Sequence, residues 1–138
     1  EACGCGRKGC LEQYASATGL VRLAKRYFEK NTKNSILTGK EITAKEVFDA
    51  AKAGDAAALE ITEEFGAYLG QALVNLAATV DPAVFVIGGG VSKAGDILLE
   101  TVRKYFYDHA FYGNQKTKIT LATLGNDAGI YGAAKQVL

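Results

Sequence analysis

Two strand–turn–helix units follow each other in the second half of the chain, and they constrain its fold more than any other feature. The first joins the apolar run AVFVI (83–87), a glycine turn at Gly88–Gly90 and a helix over about 96–110. The second joins the strand KITLATL (118–124), the turn GNDAG and a terminal helix from Asp127. Consecutive units of this kind pair their strands in parallel through right-handed crossovers. The sequence therefore predicts an α/β fold, with the β-branched first strand buried on both faces of a parallel sheet.

Helices dominate the rest of the chain. Three of them carry N-terminal capping signals, at Ser16 or Thr18, at Thr43 with Glu46, and at Asp55. Because only two clear strands stand among five or six helices, we expect a helix-rich structure with an incomplete sheet.

The longest helix runs from Asp55 to about Val80, where Pro82 prevents its continuation. Its apolar stripe is expected to face the core and consists of Leu59, Phe65, Leu69, Leu73, Leu76 and Val80. Gly66 and Gly70 lie one turn apart on this helix and predict the close approach of another element.

Composition excludes several classes of function. The 138 residues include 16 Lys and Arg against 15 Asp and Glu, which argues against a dedicated nucleic-acid binder. No apolar run approaches the roughly 20 residues that span a bilayer, and the N-terminus lacks the apolar region of a secretory signal. We expect a cytoplasmic protein without a membrane partner. The chain has no Met and begins with Glu1, so we expect a fragment of a longer protein.

All three cysteines lie in the first ten residues, as C-x-C-x4-C with glycines between them. Disulfides between such close neighbours would be strained, whereas Zn²⁺ accepts thiolates at tetrahedral geometry. Cys3, Cys5 and Cys10 are therefore candidate zinc ligands, although a structural site needs four, and unligated thiols are the alternative. His109, the one histidine, is better explained as a cation near a helix C-terminus than as the fourth ligand.

Glu12 and the glycine turns are the other candidates for chemistry. Glu12 either complements a helix N-terminus or is a carboxylate held by the cysteine loop to bind a polyol. The turn at Gly88–Gly90 either lets a nucleotide approach backbone N–H groups or only allows tight packing. In the second turn, Asp127 is a candidate helix cap, while Gly129 and Gly132 would let the last helix lie close to the sheet. Two such turns at neighbouring strand ends would form a nucleotide-binding crevice.

These segments together resemble the ROK family of bacterial sugar kinases and sugar-responsive repressors. CGCGRKGCLE is similar to that family's motif C-x-C-G-x-x-G-C-x-E. PAVFVIGGGVSKAGDILLETVRKYF and ATLGNDAGIYGAA resemble its later signatures, in the right order. The resemblance covers nearly the whole chain and is strongest to the family's glucokinases.

The resemblance implies an actin-like, ribonuclease H-like ATPase fold, of which this chain would be most of the C-terminal domain without the N-terminal one. It divides the chain into a zinc-binding loop (1–12), a helical part (13–80) and a nucleotide-side part (83–138). It implies that Cys3, Cys5 and Cys10 hold a structural zinc with an upstream histidine. By the same resemblance, Glu12 binds sugar hydroxyls and Gly88, Gly89 and Gly90 face the nucleotide.

The implied activity is transfer of the γ-phosphoryl group of ATP, with Mg²⁺, to glucose or a related hexose, usually in a homodimer. The family's general base, an aspartate, would lie upstream, so no catalytic residue is assigned here and we expect this chain alone to be inactive. The first alternative is the effector-binding part of a ROK-type repressor, and the second is a zinc-stabilised interaction domain without a small-molecule site.

Overall fold

The structure, a computed structural model, describes residues 1–137. Its helices are Glu12–Ala15 (α1), Ala17–Lys30 (α2), Ala44–Lys52 (α3), Ala56–Val80 (α4), Asp96–His109 (α5) and Ala128–Lys135 (α6). Its strands are Val84–Ile87 (β1) and Lys118–Leu121 (β2). Short 3-10 turns cover Gly90–Ala94, Tyr112–Asn114 and Gly125–Asp127. No helix among these residues has both the length and the apolar character needed to cross a bilayer.

Strands β1 and β2 pair in parallel, as the two strand–turn–helix units predicted. Val84 pairs with Lys118 at one end and Ile87 with Leu121 at the other, and α5 forms the connection between the strands. Because both strands end in register, the turns that follow them lie side by side. Leu138, the last residue of the predicted terminal helix, lies outside the described residues.

The prediction that β1 is buried on both faces is wrong for the described part of the chain. Phe85 packs edge-on against Phe106 of α5 with ring centroids 6.0 Å apart, and Ile87 is buried. Val84 and Val86, which point to the other face, are 44% and 60% exposed. Helix α5 covers one side of this two-stranded sheet, and no described helix covers Val84 and Val86.

The predicted caps of the first three long helices are confirmed. The Ser16 side chain, rather than that of Thr18, accepts a hydrogen bond from the Gly19 N–H at 3.0 Å. Thr43 forms the capping box with Glu46, and the Asp55 carboxylate accepts from the Ala58 N–H at 2.9 Å.

The expectations for the last helix are wrong. Asp127 makes no side-chain capping bond, and none of the α6 residues is buried. A Cβ at Gly129 or Gly132 would meet nothing within 4 Å, so these glycines do not bring α6 onto the sheet. The main contact of α6 is with the turn before it.

Helix α4 faces the core with a different stripe from the one expected. Phe65 and Leu73 are buried as predicted, but Leu59, Leu76 and Val80 are exposed. The buried face also includes Ile61 and a set of small residues, namely Ala57, Ala58, Thr62, Gly66, Gly70 and Ala77. The large apolar residues alone did not define this face, because at Gly66 and Gly70 the close contact with α5 leaves no room for a side chain.

Gly66 and Gly70 are where α5 approaches α4, as the sequence predicted. A Cβ at Gly66 would lie 2.8 Å from the Thr101 Cβ, and one at Gly70 would lie 2.9 Å from the Tyr105 ring. These distances are shorter than any normal carbon–carbon contact, so a side chain at either position would push the helices apart.

Gly66→Ala is therefore expected to destabilise the protein. An alanine adds roughly 0.5–1 kcal/mol of helix preference, but overpacking costs about 1–3 kcal/mol, so we expect a net loss of about 1 kcal/mol in the free energy of unfolding. This free energy is measured by urea unfolding, with circular dichroism as the signal. Gly132→Ala in α6, where the added Cβ meets nothing within 4 Å, is the matched control and should not lower stability. A Gly66→Ala protein as stable as the wild type would contradict the packing described.

Candidate functional site

The first ten residues form a tight loop closed by an antiparallel bridge between Ala2 and Lys8. The Cys3 N–H donates to the Arg7 carbonyl, and the Gly6 N–H donates to the Cys3 carbonyl, both at 2.9 Å. Gly6 and Gly9 have φ values of +83° and +76°, in the left-handed region that other residues rarely adopt. The glycines between the cysteines thus let the backbone turn back on itself.

This cysteine loop (residues 1–10) brings the three cysteine sulfur atoms together. The Sγ atoms of Cys3, Cys5 and Cys10 all lie within 4.8 Å of one another, and those of Cys5 and Cys10 are 3.5 Å apart. Thiolates on one tetrahedral zinc ion are separated by about 3.8 Å, given a Zn–S bond of about 2.3 Å. The three unbridged thiols therefore fit a metal ion. Among the described residues, no further His, Cys, Asp or Glu side chain joins this cluster.

His109 does not belong to the cysteine cluster. It is the last residue of α5, stacks on the Tyr105 ring at 4.0 Å between centroids, and its Nδ1 lies 2.8 Å from the Tyr105 carbonyl oxygen. The structure therefore confirms that His109 lies at a helix C-terminus and away from the cysteines.

Hydrogen bonds within the cysteine cluster shift the pKa values of Cys3 and Cys10 in opposite directions. Hydrogen bonding from the Cys5 backbone N–H lowers the pKa of Cys3, because it stabilises the thiolate. Hydrogen bonds to Cys5, then to Cys3, raise the pKa of Cys10 to about 11. Three negative charges at these distances repel one another, and a divalent cation between them would remove that repulsion.

Glu12 lies beside the cysteine loop. It is the first residue of α1, it is exposed, and its Oε2 is 3.9 Å from the Cys3 Sγ. A helix of four residues offers a weak dipole, so complementing its N-terminus is a poor explanation for this carboxylate. Its Oε2 accepts a long hydrogen bond from the Cys3 thiol, and its exposed side chain remains accessible to a ligand.

Helix α1 is anchored by residues that the sequence analysis missed. The Gln13 N–H donates to the Cys10 carbonyl at 2.9 Å, and the Tyr14 ring packs on the Tyr68 ring of α4 at 4.8 Å. No sequence pattern identifies Gln13 and Tyr14, because one has its partner in the cysteine loop and the other on the distant helix α4.

The glycine turn after β1 lies at the edge of the sheet where both strands end. The Ala122 N–H donates to the Ile87 carbonyl at 2.8 Å, and a Cβ at Gly88 would lie 3.5 Å from the Ala122 Cβ. Only Gly89 needs glycine for its conformation, with φ +79°, and a Cβ at Gly89 or Gly90 would meet nothing within 4 Å. Packing inside the described chain therefore does not explain the triple glycine, and the open space beside it allows a ligand to approach the backbone.

A cavity of about 180 Å³ lies between α3 and the 3-10 turn Gly90–Ala94. Its apolar wall includes Phe48, Val91 and Ala94. Asp49 lies at its edge between Lys45 and Lys52, with N–O distances of 2.5 and 3.9 Å, and its hydrogen bond to Lys45 lowers the pKa of Asp49. The cavity combines apolar lining residues with a charged rim, which suits an aromatic ring that carries polar groups. Nothing in the sequence signals this cavity, because α3 and the turn are distant along the chain.

Comparison with known proteins agrees with this geometry. The model of the ROK family matches residues 1–138. The chain belongs to the ROK family. A glucokinase from Halalkalibacterium halodurans is 43% identical over 135 residues, which are 94% of this chain and 41% of that protein. The chain thus spans less than half the length of this curated relative.

Solved ROK structures have the same fold. A ROK family glucokinase from Streptomyces griseus, crystallised in complex with glucose and AMPPNP, matches with a TM-score of 0.86 and 37% identity over 98% of this chain and 46% of that one. A ROK family transcriptional regulator, a homologue of the E. coli MLC protein, matches with a TM-score of 0.71 and 27% identity. The match covers 88% of this chain and 31% of the regulator's chain. The expected actin-like ATPase fold is confirmed.

Proposed function

We propose that this chain is the sugar- and nucleotide-binding part of an ATP-dependent kinase of glucose or a related hexose. The observation that carries the proposal is the position of the Glu12 carboxylate, exposed to ligands and held 3.9 Å from Cys3 on the cysteine loop. The 43% identity to a glucokinase and the likeness to a glucokinase crystallised with glucose and AMPPNP support it. The division into a zinc loop (1–12), a helical part (13–80) and a nucleotide side (83–138) is part of the proposal, and homodimer formation stays a prediction.

Cys3, Cys5 and Cys10 would hold a structural zinc ion, with a fourth ligand from outside the cluster. The sulfur separations support this assignment, since they lie near those of a tetrahedral thiolate site. When bound, zinc supplies rigidity and charge neutralisation to the loop rather than chemistry to the reaction.

The residues of this chain would act by positioning. Glu12 accepts hydrogen bonds from two hydroxyl groups of the sugar, which fixes the ring relative to the phosphate donor. The backbone N–H groups at Gly88, Gly89 and Gly90 face the nucleotide, which is bound with Mg²⁺. Phosphoryl transfer depends mostly on such positioning and on charge stabilisation. The group that takes the proton from the attacking hydroxyl is not among the residues assigned here.

Glu12→Gln should weaken sugar binding selectively. A neutral amide offers one acceptor oxygen and loses the charge-assisted bond, which contributes about 1.5–3 kcal/mol, so we expect the KM for glucose to rise at least tenfold. The KM for ATP should stay within twofold. Steady-state kinetics on the full natural chain measures both constants, with Glu29→Gln on the exposed surface of α2 as the matched control. An unchanged KM for glucose would contradict the role of Glu12.

We also propose that the cavity between α3 and the 3-10 turn receives the nucleobase. Its support is the position of the cavity next to Gly90 and its apolar wall at Phe48 and Val91. The phosphates of a nucleotide bound there would lie toward the glycine turn.

Ala44→Leu should block this cavity, which Ala44 lines. The larger side chain takes the space of a ring, so we expect the KM for ATP to rise about tenfold with little change in the KM for glucose. Ala78→Leu, at an exposed position of α4, adds the same atoms away from the cavity and should change neither constant. Equal effects of the two substitutions would exclude the cavity as the nucleobase site.

The repressor alternative rests on the likeness to the ROK transcriptional regulator. The higher identity to glucokinases, 43% and 37% against 27%, favours the kinase. ATP-dependent phosphorylation of glucose by the full natural chain distinguishes the two, since a repressor would bind sugar without turnover. A protein that binds no sugar at all would instead be the zinc-stabilised interaction domain.

A further inference from the structure

Gln13 is a buried polar side chain whose partner is one of the cysteine sulfurs. The residue is only 7% exposed, and its amide Nε2 lies 3.4 Å from the Cys3 Sγ. Burying an amide is unfavourable unless it forms hydrogen bonds. A neutral thiol is a weak acceptor, whereas a thiolate is a strong one, so this arrangement is most favourable when Cys3 carries a negative charge.

The backbone of Gln13 is fixed independently of this contact. Its N–H donates to the Cys10 carbonyl at 2.9 Å, and its carbonyl accepts from the Arg22 guanidinium at 3.3 Å. The first bond holds the start of α1 against the cysteine loop, and the second ties it to α2. The backbone of Gln13 therefore brings its side chain next to Cys3, and the contact between the amide Nε2 and the Cys3 Sγ completes the arrangement.

We propose that Gln13 is a positioning residue that donates an N–H hydrogen bond to the Cys3 thiolate and so sets the metal affinity of the cysteine loop. The inference rests on the metal site proposed above. Partners of this kind orient a ligand and stabilise its charged form. Because Gln13 is bonded to both Cys3 and Cys10 and follows Glu12 in the chain, it also links the metal site to the sugar carboxylate.

Metal titration of the full natural chain tests this role with two substitutions. Gln13→Met keeps the length of the side chain but removes the donor. Gln13→Glu keeps the shape and places a carboxylate beside the thiolates. Loss of such a partner typically weakens metal binding 10–100-fold, so we expect a loss of about tenfold for Gln13→Met and a larger one for Gln13→Glu. Zn²⁺ affinity is measured by competition with a chromophoric chelator, and Gln136→Met, at an exposed position after α6, is the control.

The absorption spectrum of the Co²⁺-loaded protein gives a second readout that packing alone would not change. A hydrogen bond to sulfur lowers the energy of its lone pair, so its loss should move the sulfur-to-cobalt charge-transfer band to longer wavelength in Gln13→Met. Circular dichroism confirms that each variant remains folded.

Three results are decisive. Weaker Zn²⁺ binding together with the shifted band supports the role of Gln13. Wild-type affinity and an unshifted band in folded Gln13→Met would overturn that role and leave the metal site standing. A wild-type protein that binds neither Zn²⁺ nor Co²⁺ would overturn the metal site and the inference with it.

Discussion

Helices α4 and α5 meet at Gly66 and Gly70, where the backbone of one lies directly against side chains of the other. Helices α1, α2 and α3 pack on α4, whereas β1 and β2 pack on α5. The contact between α4 and α5 is thus the main one that joins the part with the cysteine loop to the part with the glycine turn, and α3 adds contacts with α5 and with the 3-10 turn after the glycines. The distance between the proposed sugar carboxylate and the proposed nucleotide turn depends on how closely these two helices approach.

The cysteine loop crowds three ionisable thiols together beside a carboxylate. Three thiols lie within 4.8 Å of one another, and the Glu12 carboxylate is adjacent to them. In a metal-free protein, protons must remain on some of these sulfurs, as the raised pKa of Cys10 indicates. A bound cation would allow all three to ionise together and would hold the loop in one conformation. Under this account, the ion's contribution to function is the fixed position of Glu12.

Local features of this fold could be predicted from the sequence, and features that depend on distant neighbours could not. The caps at Ser16, Thr43 and Asp55 depend on residues within three positions, and all three are present. The parallel pairing followed from two repeated units. Burial of Val86 and packing of α6 were predicted wrongly, because a strand or helix pattern does not reveal which neighbours cover it.

The same distinction between local and distant contacts applies to the candidate site. The grouping of the cysteines could be predicted from their spacing, since the loop between them is short. The buried amide of Gln13 gave no sequence signal, because its partner is a sulfur atom ten residues away and its burial depends on the docking of α1. The cavity between α3 and the 3-10 turn was missed because no local pattern relates these elements.

The central claim is that the metal loop positions Glu12 for the sugar, and calorimetric titration of glucose into the protein before and after metal removal tests it most directly. Metal would be removed by a chelator and its absence checked by elemental analysis, with circular dichroism to show that the helices persist. The account predicts that glucose affinity falls at least tenfold on metal removal and returns when Zn²⁺ is restored. Equal glucose affinity in the metal-loaded protein and the folded metal-free protein would contradict it.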